Sequence, residues 1–211
     1  MKLLIFFFTF FLNLSLLAQS DLSTGVTIGL VIPTSEDLSA GYQAGLSLEP
    51  GLNLTLIDKI DIGASVVVNG FMNKYNDNVT DYLILYGPVL GVTYKDLTIG
   101  KVRLQPLLGV GYLWGQDFLV SSGQANSDRE TTPVLTSKGG YLLTGLSVPV
   151  SENASIRLVY NIHRPMVSLS DEAKQFFAAY NINSPLYGSI MDFPSNRMSF
   201  DNIMIAITMK L

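Results

Sequence analysis

The sequence predicts an all-β fold, an eight-stranded antiparallel up-and-down β-barrel, and three observations carry the prediction. Apolar residues alternate with small or polar ones in eight separate runs, the period of a strand with two unlike faces. Tight turns and longer polar spacers take turns between those runs, as in a chain of hairpins. The chain also ends inside its last run, where Leu211, Met209, Ile207, Ile205 and Ile203 share one parity. Chain ends usually fray into water. A terminus patterned as strand needs a partner, and closure of the last strand on the first supplies one.

The opening residues are a separate element. Residues 1–18 carry one charge at Lys2, an apolar run from Leu3 to Leu12 and a small residue at Ala18, the pattern of a cleaved signal peptide. A retained anchor is the other reading. The run falls short of the about 20 residues a spanning helix needs, and Asn13 interrupts it. Cleavage after Ala18 leaves 19–211 as one barrel domain. Loss of Lys2 leaves 12 basic against 17 acidic residues. That balance, with no basic cluster, excludes a nucleic-acid partner. The chain has no cysteine, so an exported form has no disulfide framework.

The eight runs are Thr24–Ile32, Gly41–Ile57, Ile60–Met72, Tyr82–Tyr94, Val102–Trp114, Gly140–Val150, Ala154–Ser168 and Arg197–Leu211. The second places Leu46, Leu48, Leu52, Leu54 and Leu56 on one face, and the third Ile60, Ile62, Ala64, Val66 and Val68. Asp58-Lys59, the stretch around residues 95–101, and Ser151-Glu152-Asn153 make the tight turns. Pro33–Ala40, Asn73–Asp81, Gly115–Gly139 and Leu169–Asn196 are the long polar spacers. Short turns at one end and long loops at the other are the layout of an outer-membrane barrel. Pro50, Pro88 and Pro106 fall in mid-strand, where each removes a ladder hydrogen bond, so bulges or strand breaks are expected there.

The less apolar face shows which way the wall points. It carries Gly63, Ser65, Gly91, Thr93, Gly109, Gly111, Gly145, Ser147 and Asn161. A face turned to water would carry Lys, Glu and Asp; small residues fit the bore of a narrow barrel. The apolar face therefore points to lipid, where a closed barrel pairs every backbone group. Only 14% of residues are charged, against about 25% in soluble domains. Tyr82, Tyr94, Tyr112 and Trp114 stand at strand ends on the apolar face and read as interfacial girdles, although aromatics also favour strands in general. Counted back from Leu211 at roughly 2.6 Å per tilted residue, a band about 25 Å tall ends near Asn202. Asp201 is the first charge beyond it.

Y-G-P-V-L-G-V-T-Y at 86–94 and V-R-L-Q-P-L-L-G-V-G-Y at 102–112 resemble paired strands of the bacterial outer-membrane β-barrel domain family, the small eight-stranded OmpA/OmpX-like and PorT-like barrels. The terminal strand resembles the sorting signal read by the barrel-assembly machinery, with Leu211 where such signals usually end in Phe or Tyr. The resemblance implies a bacterial outer-membrane location, with the lipid bilayer and the assembly machinery as partners. The family is functionally mixed, so no activity follows from it.

Parity places Glu49, Asp61, Arg103, Arg157, Asn161 and His163 in the lumen. Charges there are costly unless paired, so Glu49 and Asp61 are expected to pair with Arg103 and Arg157. Such a network either fills the core or forms a selectivity constriction or proton-linked gate. His163 is the single histidine, and with no cysteine the sequence offers no metal site and no cofactor motif. A lipid-modifying hydrolase would use His163. Its neighbour Ser168 lies five positions on, which turns it to the opposite face. Residues 170–181 read as the one helix, with Ser170 as N-cap and Phe176, Phe177 and Tyr180 on one face. It is either a lid or partner surface, or packing on the rim. The function expected is a non-enzymatic integral membrane barrel with a structural or recognition role through the long loops. A narrow channel for small or apolar solutes and a lipid hydrolase are the alternatives, and a soluble lipocalin-type barrel is the rival fold.

Overall fold

The computed structural model describes residues 22–76, 79–121, 130–180 and 196–211; the signal-peptide assignment lies outside these residues. In chain order the elements are β1 (Leu22–Pro33), α1 (Glu36–Gly41), β2 (Gly45–Ile57), β3 (Ile60–Asn76), β4 (Val79–Tyr94), β5 (Leu97–Ile99), β6 (Val102–Ser121), β7 (Glu130–Pro149), β8 (Ala154–Leu169), α2 (Asp171–Tyr180), β9 (Asn196–Arg197) and β10 (Asn202–Lys210). Eight strands form an antiparallel ring, β1-β2-β3-β4-β6-β7-β8-β10, with β10 paired to both β8 and β1. The ring leaves no edge within its band. β5 folds back on β6 over Gly100-Lys101. Gly100 takes φ 63 there, a conformation glycine adopts without a Cβ clash.

Register partners fix the stagger. From Pro33 they run through Asn202, Asn161, Leu143, Gly109, Gly91, Gly63 and Asn53 to Ser23. One circuit thus returns to β1 ten residues below its start, a shear that tilts the strands as barrel closure requires. The last residue is held as well: the amide of Leu211 donates to the carbonyl of Thr24 at 3.1 Å.

The two faces follow the parity of the sequence. Outward residues are large, apolar and half exposed, as at Leu46 (68%), Leu90 (55%), Val110 (56%) and Leu158 (53%). An apolar surface running round a whole barrel is a wall for lipid rather than for water. Tyr82, Tyr94, Tyr112 and Trp114 are exposed on that wall. Inward residues such as Val31, Val67, Leu85, Leu113 and Val159 are buried.

Three features differ from the sequence reading. First, residues 73–76 and 79–81, and much of Gly115–Gly139, are strand rather than loop. β3, β4, β6 and β7 run for 17, 16, 20 and 20 residues against 12 and 13 in β1 and β2. About 9–11 residues cross a bilayer, so these four project beyond the band, as does β8 with 16 residues. Their polar ends hide the alternation, while backbone pairing continues regardless. Second, the register is unshifted at the mid-strand prolines, and the strands do not break there. Partners are missing beside Pro50 on the β3 side and beside Pro88 on the β6 side, while Pro50 stays opposite Val26 and Pro88 opposite Val66. A proline that lacks its N–H toward one neighbour keeps its place in the ladder through the other. The irregularities lie at 55/57, 74/76 and 117/118. Third, a second helix, α1, occupies the Pro33–Ala40 spacer, and the last run is divided into β9 and β10 by residues 198–201.

α2 forms where it was read. Its N-cap, Ser170, accepts the amide of Ala173 at 3.0 Å, and its own amide donates to the carbonyl of Val134. This seats the helix on the projecting part of β7.

Candidate functional site

The lumen has three levels. At the short-turn end is a polar vestibule of roughly 410 Å3. Its wall is low because Gly25, Gly51, Gly63 and Gly91, on four adjacent strands, point no side chain into it. Two charged pairs line it. Glu49 accepts from Ser65 Oγ at 2.8 Å and faces Arg157 Nη1 at 3.4 Å. The same Nη1 donates to Thr27 Oγ1 at 3.0 Å, and Thr27 bonds Thr208 at 2.7 Å. Asp61 accepts Lys95 Nζ and Thr55 Oγ1, each at 2.7 Å.

Of the four expected partners, the structure brings Glu49 and Arg157 together. Asp61 and Arg103 are not paired. Asp61 binds Lys95, and the exposed Arg103 donates Nε to the Lys95 carbonyl at 2.7 Å. Lys95 follows the last residue of β4 and lies in the turn, outside any parity argument. From there its long stem reaches back into the bore.

Above the vestibule the lumen is mainly apolar, with Ser47, Asn69, Ser137 and Asn161 buried among the apolar side chains. Val31, Val67, Leu85, Leu113, Leu143 and Val159 are each at most 4% exposed and belong to one core. None of the six except Leu143 lines the vestibule, which is therefore blind. The packed middle is a structural core, of the kind small barrels use to fill their interior.

The loop end is capped by α1. Leu38 is fully buried, and Tyr42 packs its ring on Phe71 at 5.9 Å while its hydroxyl donates to Asp117 at 3.2 Å. Asp37 accepts the Ser199 amide at 2.7 Å, and the Asp201 carbonyl accepts the amides of Thr34 and Ser35 at 2.8 and 3.2 Å. Asp201 also binds Arg164 through its carboxylate and accepts the His163 amide at 3.3 Å. Residues 198–201 thus leave the strand to hold the cap in place. The sequence held a signal for α1: Ser35 precedes Glu36-Asp37, a polar residue followed by acids in a first turn.

His163 is buried, with Nδ1 3.0 Å from the Gly140 carbonyl and its ring between Tyr141 and Phe200. Asn161, beside it, joins the Tyr141 hydroxyl and the Asn202 side chain, both at 2.7 Å. Ser168 bonds Thr136 at 3.0 Å on the outer wall, so His163 and Ser168 do not form a nucleophile pair. Phe176, Phe177 and Tyr180 belong to α2, but their side chains lie outside the described residues.

No family model matches the chain, and no curated protein does. Solved structures do. Neisserial surface protein A is 13% identical, with 91% of this chain and 98% of that one covered and a TM-score of 0.50. A major outer membrane protein of Thermus thermophilus is 13% identical, with 91% and 100% covered and a TM-score of 0.50. Ail, the attachment invasion locus protein of Yersinia pestis, is 13% identical over 91% and 99%, with a TM-score of 0.47. The fold is that of the small eight-stranded outer-membrane β-barrels. At such identities the likeness concerns the fold alone, and activity has to be argued from this chain's own residues.

Proposed function

We propose that this chain is a non-enzymatic outer-membrane barrel whose lumen is packed filling rather than a path, and which meets other molecules at its loop end. The observation that carries the reading is the filled bore: an apolar core lies between a blind vestibule and a cap bonded to residues 198–201. Five strands projecting past the band, with α2 on one of them, offer a stiff surface at that end. Stiff presentation lowers the ordering cost of recognition. The outer-membrane fold of the likenesses supports the location, and the terminal strand supports the assembly machinery as a partner during biogenesis. The hydrolase alternative lacks support, since His163 and Ser168 occupy opposite faces.

The mature chain, 19–211, refolded in detergent, is expected to migrate differently on a gel before and after boiling. It is also expected to stay electrically silent in a planar bilayer. Discrete current steps would replace this reading with the channel. Full solubility without detergent, and no boiling shift, would replace it with the soluble barrel.

A further inference from the structure

Below the projecting strand ends, the described outward positions of the ring carry two cations, and both lie in one place, with the exposed Arg197 of β9 opposite Met166 beside them. Lys138 on β7 stands opposite Trp114 on β6 and Met166 on β8. One step along the same face, Gly140 stands opposite Tyr112 and Arg164. Lys138 and Arg164 are therefore diagonal neighbours, about 7–8 Å apart between backbones. Gly140 leaves the space between them open, since a Cβ built there would meet nothing within 4 Å.

Around them the wall is shaped for a molecule with a charged head and an apolar body. Trp114 packs against Tyr112 at 5.2 Å and Tyr86 at 6.3 Å. A groove of roughly 470 Å3 runs beside these rings, lined by Tyr86, Trp114, Gln116, Thr136, Lys138 and Met166. Lys138 makes no salt bridge among the described residues. Arg164 gives Nη1 to Asp201, yet its side chain is 52% exposed.

The height fits as well. Lys138 lies ten residues above Val148 on the same face, roughly 26 Å at roughly 2.6 Å per tilted residue. That puts it at the border of a hydrocarbon band about 25 Å tall, on the loop side. A lysine there reaches headgroup level, where its charge is tolerated.

We propose that Lys138 and Arg164 form a docking site on the barrel wall for the phosphate of an anionic lipid in the loop-side leaflet. The proposal depends on the reading that this wall faces a bilayer. The two cations hold the phosphate, Gln116 and the Thr136 hydroxyl offer polar contacts at the rim, and the acyl chains lie along the Tyr112–Trp114 surface.

Trp114 is the only tryptophan in the chain, so its fluorescence reports on the site. The detergent-refolded chain is titrated with short-chain phosphatidic acid, with phosphatidylcholine of the same chain length and with inorganic phosphate. A saturable change with phosphatidic acid alone is expected. Lys138→Ala weakens it roughly tenfold, Lys138→Arg retains it and Lys101→Ala at the far end leaves it unchanged. An equal response to phosphatidylcholine, or unaltered binding in Lys138→Ala, overturns the site. An equal response to inorganic phosphate overturns the lipid and leaves a bare anion site. The boiling shift is recorded on the same samples. If it is present and binding is absent, the docking site alone falls; if it is absent, the membrane-barrel reading falls.

Discussion

Arg157→Ala is expected to lower the unfolding free energy of the barrel by about 3–5 kcal/mol, measured by urea titration in lipid vesicles. The Arg157 and Glu49 side chains are 16% and 10% exposed and face each other at 3.4 Å. With the guanidinium gone, Glu49 keeps Ser65 as a hydrogen-bond donor but has no positive charge within reach of its second oxygen. Thr27 loses the guanidinium in the same step and keeps Thr208. Changing both partners, Glu49→Leu with Arg157→Leu, removes the stranded charge and is expected to recover most of the loss, because a buried pair contributes little over apolar packing of similar size. A single-variant loss under about 1 kcal/mol would show that water screens the vestibule as it screens a surface pair. The turn-end pair of Lys59 and Asp96 is the comparison. Asp96 holds the Lys59 ammonium above its ordinary range, and Lys59 holds the Asp96 carboxyl below its own. Both are exposed, and cutting that pair is expected to leave stability nearly unchanged.

Leu90→Arg is expected to destabilise the vesicle-inserted barrel by about 2–4 kcal/mol. Leu90 lies four residues from Tyr94 on the outer face of β4, near the middle of the band, and is 55% exposed. In a barrel surrounded by water, the same change replaces an exposed leucine with a hydrated arginine and costs almost nothing. Equal stability of the variant and the parent in vesicles would show that this face is not in hydrocarbon.

How much of this was legible in the sequence follows from what alternation records. It records contrast between two environments, so it was clear where strands pass between lipid and lumen. There it set strand number, facing and closure. Where β6 runs through Gln116 and Asp117 beyond the band, the lipid is gone, the contrast fades and the strand reads as loop. The helix expected after Ser170 was visible because its cap and first-turn acids are local signals. α1 carried the same signals at Ser35–Asp37, but it is only six residues long, too short for a periodic face to stand out. In the lumen, parity placed Glu49 and Arg157 on strands that meet across the bore. It could not place Lys95, whose position in a turn has no parity, and so Asp61 was assigned the wrong partner. The cap was illegible for a related reason: Asp37 and Ser199 are 162 positions apart, and their meeting depends on closure of the whole ring.

That closure sets a condition on biosynthesis. β1 and β10 are the first and last strands of the ring in chain order, and Thr24 and Leu211, 187 positions apart, are joined across their contact. Until β10 exists, the growing sheet has two raw margins, each a row of unpaired amides and carbonyls open to any passing strand. No shorter product can seal itself. A ribosome that stops early leaves an open ribbon to aggregate or be degraded. A chain that reaches Leu211 can zip shut along one line, and contact between such distant segments is intrinsically slow to form. The seam thus acts as a check on the ring: only a chain that carries both β1 and β10 can become a barrel.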